Sequence, residues 1–183
     1  MIAWHAVRET DLSTEEHTGL AALLARAFPD TDMCGRSWCS ERPELRLIGT
    51  DAGSDEPDDT ATPVAHLAVL RRFVRVGETD VLVADTGLVA VDPDRQGRGI
   101  GAQLLAEAAQ VLGGLGVPHG FLTTGPDREA FYARGGWLRT PTQLTRTIER
   151  DESLQVWTGP SLHLPLGHAP FPAGEITRDG YEV

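Results

Sequence analysis

Between a run of valines and the start of a helix, the chain reads Val89-Ala-Val-Asp-Pro-Asp-Arg-Gln-Gly-Arg-Gly-Ile-Gly101. Glycines let a backbone approach a ligand closely, and the first amides of a helix have no acceptor within the helix. A strand, a glycine turn and a helix start in succession therefore form an anion cradle, and Arg95 and Arg98 add positive charge to the same turn. The expected ligand is a phosphate or pyrophosphate held by Gln96, Gly97, Arg98, Gly99, Ile100 and Gly101. The spacing departs from two other phosphate loops. No Lys followed by Ser or Thr comes after the last glycine, as a P-loop requires, and Gln96-x-x-Gly99-x-Gly101 is not the G-x-G-x-x-G of dinucleotide sites.

Two further groups have chemistry to offer. His66 lies in the middle of the apolar stretch Val64-Ala-His-Leu-Ala-Val-Leu, and an imidazole has the pKa range of a general base. The loop Asp30–Pro43 carries Arg36, Trp38 and Arg42, and loops hold binding residues more often than cores do, so these three are acceptor-site candidates. Cys34 and Cys39 are too few for a disulfide framework and have no neighbours at metal-ligand spacing, so no metal is expected.

The formal net charge of −11 removes the usual electrostatic basis for nucleic-acid binding and favours a cationic or amine-bearing partner. An acidic carrier protein would need a local basic patch. Arg71 and Arg72, with Arg95 and Arg98 nearby, are the candidates, whereas Arg75 reads as a solvated strand edge.

These groups must be positioned by a modest set of elements. Ile2 to Glu9 reads as a strand. Ser13 and Glu16 form a capping box for a helix reaching about Phe28, with Leu20, Leu23, Leu24 and Ala27 buried. Leu45 to Thr50 is a short strand, and 51–63 is an acidic loop between two strands. Val64–Val76 and Thr79–Val91 form a long hairpin around Gly77-Glu78. The cradle helix, with Leu104, Leu105, Ala108 and Val111 on one face, ends near Gly113. Gly120 to Thr124 is a strand, Asp127 to Arg134 a short helix, and Gln155 to Leu166 closes the sheet; Pro170 to Val183 is expected to be an irregular tail. A length of 183 residues fits one domain, 1–183. No apolar run is long enough for a membrane span, and Met1 to Val7 lacks a basic segment followed by an apolar one, so the expected compartment is the cytoplasm.

The cradle pattern after a valine-rich strand resembles motif A of the GNAT superfamily of N-acetyltransferases, and Phe131-Tyr-Ala-Arg-Gly-Gly-Trp137 resembles its motif B. The resemblance implies an α+β (α/β/α) GNAT fold: a mixed, mostly antiparallel sheet flanked by helices and splayed at an acyl-thioester site. It implies that Val89 and Val91 pair through their backbone with a pantetheine arm and that a strand amide stabilises the oxyanion. It places a general acid at Tyr132, whose phenol is a proton donor at neutral pH, and a carboxylate base at Asp85. A base acting through water is a further alternative to Asp85 and His66, and in that case no single side chain is decisive.

More narrowly, the chain is similar to the nodulation protein A (NodA) family, apart from the acidic insertion. The shared words are Gly35-Arg-Ser-Trp38, Arg42-Pro-Glu-Leu-Arg46, Leu70-Arg-Arg-Phe73, Val76-Gly-Glu78, Leu115-Gly-Val-Pro118 and Leu164-Pro-Leu-Gly167. That family transfers a fatty acyl group from an acyl carrier protein to the free amine of a chitin oligosaccharide. The fuller glycine cradle and the Phe131–Trp137 word also look similar to aminoglycoside 2'-N-acetyltransferases. The resemblances imply N-acylation of a small-molecule primary amine, with an acyl-phosphopantetheine donor carried by acyl carrier protein or coenzyme A. Two alternatives are a GNAT-like module that binds acyl-CoA without turnover and a protein acetyltransferase.

Overall fold

The computed structural model describes residues 1–51, 62–149, 152–180 and 183. Most of the expected acidic loop therefore lies outside the described residues; its flanks are strand, with Asp51 and Pro63 as strand ends. Among the described residues there are ten strands and three α-helices. In chain order they are β1 (Ile2–Arg8), α1 (Thr14–Ala27), β2 (Leu45–Asp51), β3 (Pro63–Val76), β4 (Thr79–Val91), α2 (Ile100–Gly113), β5 (His119–Thr123), α3 (Glu129–Arg134), β6 (Leu138–Arg139), β7 (Thr145–Ile148), β8 (Leu154–Trp157), β9 (Ser161–Pro165) and β10 (Ile176–Asp179). The capping box is formed as expected: the Ser13 hydroxyl accepts from the Glu16 amide at 3.1 Å, and the Ser13 amide donates to the Glu16 carboxylate at 2.9 Å.

The chain gathers into two compact units. One comprises residues 1–69, 87–108 and 183; the other comprises 70–86 and 109–182. The strands β3 and β4 and the helix α2 contribute residues to both.

In the first unit β1, β2 and the leading half of β3 form an antiparallel meander. Trp4 stands opposite Gly49, and a side-chain carbon at that glycine would come within 2.5 Å of the indole, so only glycine leaves the ring its place. Helix α1 buries Leu20, Ala21, Leu23 and Leu24. Leu24 packs with Met33 and Ala90, and Phe28, Cys39 and Leu88 close the edge of that cluster. Ile100, Leu104, Leu105 and Ala108 are the buried residues of the first turns of α2.

In the second unit the strand order is β6-β9-β5-β4-β3-β10-β7-β8. The joins β4–β5 and β7–β10 are parallel, and the remaining joins for which the register is defined are antiparallel, so the sheet is mixed and mostly antiparallel as expected. One core cluster unites Val74, Val76, Val81, Val83, Phe121, Phe171 and Ile176. Leu112 is fully buried and Val111 only partly, a correction to the expected helix face: the step of four from Ala108 reaches Leu112. The tail also differs from expectation. It contains β10, held between β3 and β7, because Ile176 and Arg178 alternate inward with period two while Thr177 and Asp179 do not.

Gly120 on β5 faces Trp137, Leu164 and Leu112. A methyl group there would lie 3.0 Å from the Trp137 ring and 3.2 Å from the Leu164 side chain, all in buried surroundings. Gly120→Ala is expected to destabilise the protein by about 1–3 kcal/mol through overpacking. Urea denaturation checks this, and an unchanged midpoint would show that Trp137 can shift at no cost.

Candidate active site

The cradle belongs to the first unit. After β4, Asp92 ends the strand: its amide donates to the Val64 carbonyl at 2.8 Å, and one carboxylate oxygen accepts from the Asp94 amide at 3.1 Å. The other oxygen accepts from Arg26 of α1 at 2.7 Å, which ties the turn to that helix. The chain then makes a single 3-10 turn, Pro93–Arg95. Gly97 and Gly99 have φ of +75° and +79°, conformations that favour glycine, and nothing lies within 4 Å of where their side chains would be. The first helical bond of α2 runs from the Gln103 amide to the Gly99 carbonyl, so the four amides from Gly99 to Ala102 have no acceptor within the helix. Ile100 is buried as the anchor, whereas Gln96, Gly97, Arg98 and Gly99 are exposed. The Gln96 amide group donates to the Val91 carbonyl at 3.2 Å and braces the turn against the strand end. Such a surface can take an anion with little rearrangement.

Upstream of the cradle, β4 departs from regular geometry. Its pairing with β5 covers Val83 to Asp85 and stops there. Three residues on, Leu88 has φ +47°, unusual for a residue with a side chain. His66 Nδ1 lies 2.9 Å from the Leu88 carbonyl oxygen, and His66 Nε2 lies 3.2 Å from Arg46 Nη1. Arginine only donates, so Nε2 is the unprotonated nitrogen and Nδ1 carries the proton that Leu88 accepts. His66 is fully buried. This setting differs from the expected base: both ring nitrogens are engaged and no face meets solvent.

Arg36, Trp38 and Arg42 are brought together as a group. The two guanidinium carbons stand 5.7 Å and 4.2 Å from the Trp38 ring centre. The His17 ring lies 5.6 Å from the same indole, and His17 Nδ1 is 2.9 Å from the Ser37 hydroxyl.

The other two expected residues lie in the second unit. Asp85 is fully buried on β4, 3.3 Å from Arg72 Nε and 3.4 Å from Arg178 Nη1, and Arg178 also donates to the Thr147 hydroxyl at 3.0 Å. The carboxylate is enclosed and already paired with two guanidinium groups, so this position too differs from an accessible base. Tyr132 is 9% exposed on α3. Its ring stands 5.1 Å from Phe131 and 6.0 Å from Trp137, both edge-on. Its carbonyl accepts from Gly135 and Trp137, and Gly136, with φ +86°, allows the turn that returns Trp137 to the tyrosine. Of the expected basic patch, Arg72 is in the Asp85 pair and, in the first unit, Arg95 pairs with Asp51; Arg75, expected at a strand edge, makes two 3.0 Å bonds to Asp80. Among the described residues no group of three or more His, Cys, Asp or Glu is arranged to hold a metal, and no helix is long and apolar enough to cross a membrane.

Sequence reasoning missed Leu88, Arg46 and Arg178. No local signal announces a left-handed leucine, and both arginines are defined by partners distant in sequence.

Desolvation, followed by the charge of Arg46, pulls the pKa of His66 from 6.5 down to about 3; the hydrogen bond to Leu88 opposes this. The unfolded chain takes up the proton near 6.5, so the stability contributed by His66 is complete above that pH and declines as pH falls from there toward 3. The protein is therefore expected to lose more stability than His66→Gln between about pH 7 and about pH 4. Denaturation midpoints at a series of pH values measure this, and parallel curves would contradict it.

Comparison with known proteins gives this geometry a context. The family described as nodulation protein A (NodA) matches residues 1–154. The nodulation protein A of Rhizobium tropici is 36% identical over 201 aligned positions that cover 100% of this chain and 98% of the relative. That of Bradyrhizobium sp. (strain NC92) is 36% identical over 140 residues, covering 73% of this chain but only 62% of its own length. Among solved structures, a GNAT family N-acetyltransferase of Escherichia coli in complex with CoA aligns with a TM-score of 0.64 at 19% identity, covering 97% of this chain and 89% of that one. A GNAT family acetyltransferase of Brucella melitensis in complex with acetyl-CoA aligns with a TM-score of 0.58 at 19% identity, covering 95% and 94%. The fold is thus that of the GNAT acetyltransferases. With the family match running from β1 to the first residue of β8 and the Rhizobium alignment extending over the remainder, the chain belongs to the nodulation protein A family.

Proposed function

We propose that this protein is an N-acyltransferase that moves an acyl group from a phosphopantetheine thioester to a primary amine of a small molecule. The observation that carries the proposal is the open glycine cradle at the end of a strand bent at Leu88, in a member of the NodA family. The cradle suits the pyrophosphate, and the strand Val89–Val91 offers backbone groups to the amides of the pantetheine arm.

In the reaction the amine nitrogen attacks the thioester carbonyl, the C–N bond forms, and the oxyanion collapses with cleavage of the C–S bond. A strand amide stabilises the oxyanion. The departing thiolate takes a proton from Tyr132, a role supported by its place in the Phe131–Trp137 word. His66 and Asp85 are enclosed and bonded to cations, so the proton of the attacking ammonium leaves through water. The loop carrying Arg36, Trp38 and Arg42 receives the acceptor, and the net charge of −11 favours a cationic amine such as an amino sugar. The donor is an acyl carrier protein or coenzyme A. Solved structures of the same fold hold CoA and acetyl-CoA, which favours coenzyme A, as do the carboxylate partners that Arg72 and Arg95 already have.

Tyr132→Phe is expected to lower kcat by about 10²-fold or more, the ordinary contribution of a general acid, with unchanged donor affinity. An unchanged rate across the pH range would remove the phenol from the reaction. Gly99→Val should abolish binding of acetyl-CoA in a calorimetric titration, because the side chain is strained at φ +79° and projects into the open cradle. Normal affinity in that variant would overturn the cradle assignment. Titration of the unmodified protein with acetyl-CoA and with an acylated carrier protein separates the donors, and failure to bind either would overturn the proposal.

A further inference from the structure

Arg46 on β2 is fully buried, and its head group meets three partners. Nε donates to Glu9 Oε2 at 2.6 Å, Nη1 donates to the Ser37 carbonyl at 2.8 Å, and Nη1 lies 3.2 Å from His66 Nε2. His66 in turn donates to the Leu88 carbonyl at 2.9 Å. All five residues belong to the first unit. One guanidinium therefore touches both the loop that carries Trp38 and, through an imidazole, the bent strand.

Each arm has a geometric consequence. A trans peptide is planar, with its C=O and N–H antiparallel. A Leu88 carbonyl held at His66 thus turns the Val89 N–H away from the imidazole and fixes its direction. On the other arm, Ser37 is fully buried with its carbonyl on Arg46 and its hydroxyl beside His17. Trp38 follows it, and Cys39 packs against the cluster of Leu24, Met33 and Ala90, which Leu88 also joins. Trp38 is thereby tethered on both sides, through Ser37 to Arg46 and through Cys39 to the cluster at the bent strand.

We propose that Arg46 and His66 are positioning residues for acyl transfer: together they fix the direction of the Val89 amide and the placement of the Trp38 loop. The proposal rests on the N-acyltransferase function above. Neither residue touches a reacting atom; the effect runs through the Leu88–Val89 peptide and Ser37. Glu9 holds the guanidinium, so the relay starts at an acidic residue just after β1 and ends at the backbone of β4.

The test compares His66→Gln with His66→Leu. Glutamine can donate to Leu88 and accept from Arg46; leucine fills similar space and does neither. With acetyl-CoA as donor and glucosamine as acceptor, His66→Leu is expected to lose about a hundredfold in kcat, the scale of an ångström-size misplacement. Its affinity for CoA should stay near that of the unmodified protein, and His66→Gln should recover most of the rate. A second readout does not need turnover: amide hydrogen exchange at Val89 should differ from that of the unmodified protein in His66→Leu and match it in His66→Gln, with Val81 to Val83 unchanged in both. The proposal is overturned if Val89 exchange is the same in all three proteins, or if kcat falls equally in both variants. An unmodified protein that binds CoA but acylates no amine would sink the proposed function while leaving the exchange arm to decide the relay.

Discussion

A single hydrogen bond, from the buried imidazole of His66 to the carbonyl of Leu88, holds β4 in a shape that a leucine seldom adopts. A left-handed residue with a side chain costs on the order of 1–3 kcal/mol and persists only when its surroundings over-determine it. Here they do so twice: the imidazole fixes the carbonyl, and the side chain packs beside Ala90 and Cys39. Beyond Leu88, the turn at Asp92 is held by its own bonds to Val64, Asp94 and Arg26 and leads into the glycine cradle.

The bend is supported by charge as well as by packing. An acidic protein buries Arg46 and Arg178 almost completely, and a guanidinium is tolerated in such a place only beside a carboxylate with good geometry. Glu9 serves Arg46 in the first unit, and Asp85 serves Arg178 and Arg72 in the second. Each paired guanidinium also directs further donors to a neighbour, Arg46 to the Ser37 carbonyl and Arg178 to the Thr147 hydroxyl. Asp85 is thus best understood as the counter-ion that holds β3, β4 and β10 of the second unit in one arrangement.

Local chemistry was legible in the chain. Ser13 and Glu16 announced α1, Gly77-Glu78 announced the β3–β4 hairpin, and the glycines from 97 to 101 announced the cradle, because in each case the residues that decide the structure are neighbours in sequence. Strand β10 was not legible, since Pro- and Gly-rich surroundings hid it and its two partner strands supply its order. The left-handed Leu88 was invisible for the same reason, its cause lying 22 residues away at His66. For His66 and Asp85, read from the sequence as candidate bases, alternation along a strand says only that a side chain points inward. What stands across from it is decided by residues such as Arg46 and Arg178, whose importance no spacing reveals.

The relay has an evolutionary consequence. His66 has no spare nitrogen: one is committed to a donor and the other to an acceptor, so replacing Arg46 alone strands a buried imidazole nitrogen and the carboxylate of Glu9. A single step to a side chain that cannot make the same bonds leaves a buried polar group without its partner, a loss of about 1–3 kcal/mol. Across descendants of this sequence, positions 9, 46 and 66 are therefore expected to keep these donors and acceptors, as glutamine would at position 66, or to change as a set, and their covariation would be a historical record of the bend at position 88.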